Sequence, residues 1–249
     1  MKYYIDELDR NIFNFVEYEG YDDRYPSLSM QAFSSDFYDE IRHASRRLFQ
    51  IFCKAAKVFQ MAPDDFARNM DMPDNLIPYL HKSNALGLPT WLSRFDFVLD
   101  VNGNLRMVEL NADTPCFLIE SYYANEVAAN YVGRKHPNIE CRKELHTFLK
   151  RMYDAVLSAK YGRNQYESMR ANRESLPKDP FVFSCFHDYF EDYGTTQFLM
   201  KELKTACPEA DTRFISFYDM KIDDEGIPLE DGSHATLLYR LHPMELLRS

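Results

Sequence analysis

A chain of 249 residues that is 45% hydrophobic can bury the core of one large domain or two modest ones, which excludes a disordered polypeptide. Its 29 Lys and Arg stand against 39 Asp and Glu, a formal net charge of -10 with no long basic run, so nucleic acid is not an expected partner. No apolar stretch reaches bilayer length, and the opening MKYYIDELDR is acidic where a signal peptide is basic and then apolar; a cytoplasmic protein with no membrane partner is expected.

Residues 36 to 60 carry Phe37, Ile41, Ala44, Leu48, Ile51, Ala55 and Phe59 three or four apart, behind Ser34 and Ser35, either of which can cap a helix. Two short helices follow, one opened by Pro63-Asp64-Asp65 and one through Leu76, Ile77 and Leu80, before Gly87-Leu88-Pro89 breaks the pattern. A β-hairpin is expected over 93 to 115, and helices over 116 to 130 and 141 to 159, the latter with Leu145, Phe148, Leu149, Met152, Val156 and Leu157 on one stripe. Residues 160 to 180 are polar and unpatterned and end Pro177-Lys178-Asp179-Pro180, as a linker does. Strand-like runs at 181 to 186, 213 to 218 and 235 to 241, with a helix of about residues 192 to 206 after the first, predict a small parallel sheet with a right-handed crossover. The acidic stretch Asp219 to Asp231 lacks calcium-loop spacing and reads as a solvated hairpin.

The hairpin holds the chemistry. Asn102-Gly103 favours a tight two-residue type I′ turn, and a register with Val101 facing Asn104 sets Asp96 opposite Glu109 and Arg94 opposite Asn111. Period two then points Phe95, Phe97, Leu99, Val108 and Leu110 to one face and Arg94, Asp96, Glu109 and Asn111 to the other. Facing carboxylates destabilise a sheet unless a cation lies between them, and a carboxamide beside them favours an oxygen-seeking ion such as Mg²⁺. A solvated surface hairpin with Arg94 pairing Asp96 or Glu109 is the competing reading. Asp113 and Thr114, just before Pro115 and a helix, present groups suited to an anionic ligand.

The string Arg94-Phe95-Asp96-Phe97-Val98-Leu99-Asp100, then Glu109-Leu110-Asn111-Ala112-Asp113-Thr114-Pro115, resembles the glutathionylspermidine synthase family, and the order Arg-x-Asp before Glu-x-Asn is also similar to eukaryotic glutathione synthetases. The likeness continues through Phe190-Glu191-Asp192 and Tyr239-Arg240-Leu241-His242-Pro243 and covers the chain from about Ser35. It implies an α/β (α+β) chain with an incomplete ATP-grasp-like fold. Residues 1–160 would be helices plus the metal hairpin, 161–180 a linker, and 181–249 a small α/β, pre-ATP-grasp-like substrate domain. It further implies an ATP- and Mg²⁺-dependent carboxylate–amine ligase that forms an amide through an acyl phosphate. Its small-molecule substrates would be a glutathione-like peptide and a polyamine or other amine. Asp96, Glu109 and Asn111 would be metal ligands, Arg94 would stabilise the transferred phosphoryl group or the peptide carboxylate, and Thr114, Asp113 and Glu191 would bind substrate. In the family the chain continues past the segment matching 235 to 241 and supplies the lysines that hold ATP, so a truncated chain is expected. Its alternative role is an inactive protein that binds a peptide, polyamine or metal, with self-association or a partner chain at the exposed C-terminal edge.

Other chemistries find little support. The five cysteines are odd in number, widely spaced and never arranged as CxxC, which argues against a disulfide framework or zinc site. No histidine pair sits at i, i+4, and no Gly-rich phosphate loop occurs among only 8 glycines. Ser121, His136 and Asp154 lack the G-x-S-x-G context of a hydrolase.

Overall fold

The computed structural model describes residues 4–17, 25–84, 90–136, 138–172, 179–243 and 246. The expected breaker Gly87-Leu88-Pro89 and the Pro177-Lys178 end of the expected linker lie outside them. Two compact units form, one of residues 30–112 and one of residues 1–29 with 113–249. The division therefore falls at the exit of the hairpin and near residue 30, away from the expected linker at 161–180.

In the unit 30–112, α1 (Ser35–Gln60) is capped by Ser34, whose Oγ accepts the Phe37 N–H at 3.1 Å. Its half-buried stripe includes Phe52, whose ring lies 6.0 Å from that of Phe95, whereas Ile51 is 58% exposed and lies off the expected stripe. Helices α2 (Asp64–Asn69) and α3 (Ile77–Ser83) are tied to the end of α1 by polar contacts. Gln60 Nε2 donates to Ser83 Oγ at 2.8 Å, and the His81 ring reaches the Gln60 carbonyl at 2.8 Å and Asp64 at 3.0 Å.

Strands β1 (Arg94–Leu99) and β2 (Leu105–Asn111) form the hairpin in two registers. At the open end Arg94 faces Asn111, Phe95 faces Leu110 and Asp96 faces Glu109, as expected. Beyond Asp96 the pairing shifts by one: Phe97 faces Met107, Val98 faces Arg106 and Leu99 faces Leu105. The cause lies at the turn, which is not the expected two-residue type I′. Asp100 N–H donates to the Asn104 carbonyl, leaving residues 101–103 as the loop, and of these only Gly103 has positive φ, at 80°. Asp100 fixes this loop by accepting the N–H groups of Asn102 and Asn104 at 2.9 and 2.8 Å. Val108 is the extra residue of a β-bulge that restores the expected register. The bulge also resolves a conflict in the pattern, because it gives Leu105, Met107 and Leu110 one face and puts Arg106 on the polar one. Val108 at 63% and Leu99 at 54% exposure are thus not the core residues expected.

A Cβ at Gly103 would meet nothing within 4 Å, so its substitution probes backbone conformation alone. Gly103→Val is expected to lower unfolding stability by about 1–2 kcal/mol, the cost of a β-branched residue at left-handed φ. Urea titration followed by circular dichroism checks it, and an unchanged midpoint would contradict the left-handed assignment.

In the other unit the segment after a 3₁₀ turn (Tyr4–Glu7) buries Phe13, Phe15 and Val16 against Ile119, Ala124 and Phe198. A helical run begins at Leu118, is π-helical over Glu120–Ala124 and continues as α4 (Asn125–Tyr131). Helix α5 (Ile139–Tyr161) buries Leu145, Leu149 and Leu157 of the expected stripe together with Tyr153, while Phe148, Met152 and Val156 are only half-buried. The expected linker instead contains α6 (Arg163–Ala171), anchored by buried Tyr166, whose hydroxyl donates to Asp154 at 2.7 Å.

Strand β3 (Phe181–Ser184), buried along its whole length, is followed by α7 (Phe190–Ala206) and β4 (Thr212–Phe214). The last expected strand divides in two. His234–Ala235 (β6) pairs antiparallel with β5 (Ile227–Pro228) in a hairpin that extends past the expected stretch Asp219 to Asp231 and buries Ile227 and Ala235 where a solvated one was expected, and β7 (Leu237–Arg240) joins the sheet. The sheet order is β4-β3-β7, all parallel, with β7 at an edge. Gly194 on α7 permits close approach of the N-terminal segment, since a Cβ there would lie 2.9 Å from Asn14 Oδ1 and 3.1 Å from Phe15 Cε1. Among the described residues no helix is long and apolar enough to cross a membrane.

Candidate functional site

Pairing in β1 and β2 puts Arg94, Asp96, Glu109 and Asn111 on one face of the hairpin. Arg94, two residues before Asp96 and therefore on its side of the strand, grips that carboxylate in a fork: Nε donates to Oδ1 at 2.7 Å and Nη2 to Oδ2 at 2.9 Å. The guanidinium holds the Asp96 carboxyl below the usual carboxylate range. The cation that relieves the facing carboxylates here is thus Arg94, the arrangement named by the competing reading. Glu109 is exposed across from Asp96.

The donors still fit Mg²⁺, because two carboxylates and a carboxamide are an oxygen-only set. Among the described residues no group of three or more His, Cys, Asp or Glu is arranged to hold a metal ion. The remaining positions of an octahedron would fall to water and phosphate.

The other expected residues, Asp113, Thr114 and Glu191, belong to the second unit. Arg240 at the end of β7 pairs with Asp113 and also donates to the His242 carbonyl. Thr114 contributes its carbonyl to the Cys116 thiol at 3.7 Å, and Glu191 stands in the first turn of α7 beside Asp192.

Asp192 is the residue that sequence reasoning passed over. Burial first, and the Glu191 charge second, push its carboxyl up to about 6. Tyr239 on β7 is raised by burial and by the nearby Cys116, Asp192 and Cys185, which places these four in one neighbourhood. The Cys185 thiol is pushed up to about 11, again by burial. The hydroxyl oxygens of Ser184, Thr195 and Tyr239 are buried without a hydrogen-bond partner among the described residues. Unsatisfied buried hydroxyls beside a carboxyl are costly in a closed core and are explained by a polar ligand or water.

These residues come from the carboxyl ends of β3 and β7 and the first turns of α7, where parallel sheets bind ligands. The signal available in sequence was positional: Ser184 and Tyr239 are hydroxyl residues set within apolar runs.

The family model described as glutathionylspermidine synthase preATP-grasp matches residues 5–249, beginning well before the expected start near Ser35. No curated protein matches the chain.

Proposed function

The chain belongs to the glutathionylspermidine synthase preATP-grasp family, and we propose that it takes part in ATP- and Mg²⁺-dependent amide formation between a peptide carboxylate and an amine. The facing of Asp96 and Glu109, with Arg94 opposite Asn111 on the same hairpin face, carries this reading. Asp96, Glu109 and Asn111 would hold Mg²⁺, whose contribution is to neutralise phosphate charge. Arg94, already set in a rigid fork, would turn from Asp96 toward the phosphoryl group as it passes to the peptide carboxylate. Thr114 and Asp113 would orient the peptide. Glu191 and Asp192 would hold the amine's ammonium end, with Asp192 ready to accept a proton because its carboxyl titrates near 6.

ADP release from ATP in the presence of glutathione, spermidine and Mg²⁺ tests the proposal. Supplied with the family's ATP-holding segment, the chain should turn over, and Asp96→Asn should lower the rate about 100-fold or more, the scale seen when a charge-stabilising group is removed. No ADP above background, together with unaltered Mg²⁺ binding by Asp96→Asn, would instead establish a solvated hairpin and an inactive binding protein.

A further inference from the structure

A cavity of 680 Å³ is lined by His187 after β3, by β4 and the residues that follow it, and by the β5–β6 hairpin. Its size lies in the range of small-ligand pockets. Its wall is ordered. His187, three residues beyond β3, bonds through Nδ1 to the Ser216 Oγ at 2.9 Å, and its ring packs edge-on against Tyr218 at 5.4 Å. Ser216 itself is only 4% exposed, so the imidazole is fixed from beneath.

The charges that line this cavity are of two kinds. Arg213 is already neutralised, its guanidinium bonded to Asp211 at 2.9 Å and Asp231 at 2.8 Å. Lys221, Asp219 and Glu230, by contrast, make no side-chain hydrogen bond or ion pair among the described residues. One unpaired ammonium and two unpaired carboxylates therefore border the same space, beside apolar Phe214 and Leu229.

We propose that this cavity binds a small zwitterion of the α-amino-acid class, with Lys221 taking the carboxylate and Asp219 and Glu230 the ammonium. Single-charge ligands fit less well. A nucleotide would set several phosphate charges against Asp219 and Glu230, and a polyamine would meet the Lys221 ammonium. A zwitterion satisfies both signs and leaves its side chain for Phe214 and Leu229. The assignment does not depend on the hairpin or on the ligase reading.

Saturation-transfer NMR of the full chain with the free L-amino acids tests it. At least one should bind at millimolar concentration, and its N-acetyl and methyl-ester derivatives should bind about tenfold more weakly, since each loses one charge-assisted contact. Lys221→Gln should weaken the parent amino acid similarly while leaving the methyl ester unaffected, and Glu230→Gln should do the converse with the N-acetyl form. Both side chains are exposed, and an unchanged circular dichroism spectrum shows that the variants are folded. Absence of binding by every amino acid would overturn the proposal, as would equal binding by wild type and both variants. Competition by inorganic phosphate alone would reassign the cavity to anions.

Discussion

Arg142→Met is expected to cost about 3 kcal/mol or more of unfolding stability at pH 7, the lower end of what breaking a buried ion pair costs. Glu202 on α7 is the reason. Its side chain is 2% exposed, and Arg142 on α5 reaches it twice, through Nη2 at 2.7 Å and Nε at 3.1 Å, while His146 adds a contact at 2.6 Å. Arg142 Nη1 also holds Glu126 of α4 at 3.0 Å, so one guanidinium links three helices. The arginine is itself 33% exposed, which lets solvent screen part of the interaction and sets the estimate low in the range.

The pH dependence distinguishes this network from ordinary packing. Burial pushes the Glu202 carboxyl up, but the hydrogen bonds from Arg142 and His146 outweigh it and leave the group below its ordinary value of 4.5. A lowered folded value contributes stability that is present above the unfolded value and lost as pH falls through the folded one. Without Arg142 burial dominates, so stability should instead rise as the solution is acidified from pH 7 toward about 4.5, because protonation relieves the buried charge. Urea unfolding at several pH values reads both slopes. A loss under about 1 kcal/mol with the slope unchanged would show that the network is solvated. The double variant Arg142→Met, Glu202→Leu should recover most of the loss, since replacing both partners by apolar groups is often near neutral.

How far the fold could be read in the sequence depended on where each element's information lies. The α1 period and its serine cap are local, and so is the apolar run of β3; the helix, its Ser34 cap and the strand form where expected, although Ile51 and Ala55 fall on the exposed side of α1 and the strand ends at Ser184. The open end of the hairpin was legible because alternation through Arg94, Asp96, Glu109 and Asn111 constrains it from both strands. The bulge was signalled by apolar residues at 105, 107 and 110, a spacing that breaks period two, yet Asn102-Gly103 suggested a turn that made Val108 look like core. Helix α6 was lost because one buried residue, Tyr166, anchors an otherwise polar segment. Phe13, Phe15 and Val16 form too short a run to predict an element, although tertiary packing buries them completely or nearly so. The cluster at the end of the sheet was harder still. Ser184, Asp192 and Tyr239 become neighbours only when β3, α7 and β7 come together, and no spacing in the chain encodes that.

Asp192 tests whether that cluster is kept for stability or for a ligand. Its carboxyl titrates near 6 in the folded chain against an ordinary value of 3.8. Below 3.8 both folded and unfolded states are protonated and the group contributes nothing. Between 3.8 and about 6 the unfolded state ionises first, so stability falls as pH rises; above about 6 the penalty is complete. After allowance for solvent at its partly exposed edge, the penalty is on the order of 2 kcal/mol. Asp192→Asn removes the ionisation, and the variant should therefore be more stable than wild type by about that amount at pH 7 and equal to it near pH 3.5. A residue that weakens its own fold at neutral pH is retained for another reason, as substrate sites commonly are. If the reason is an ammonium group, spermidine should bind Asp192→Asn at least about tenfold more weakly, the scale of one lost charge-assisted contact. Greater stability with weaker amine binding would mark Asp192 as part of the substrate site. Greater stability with unchanged binding would move the amine elsewhere, and no gain at pH 7 would mean that the carboxyl is already satisfied by water.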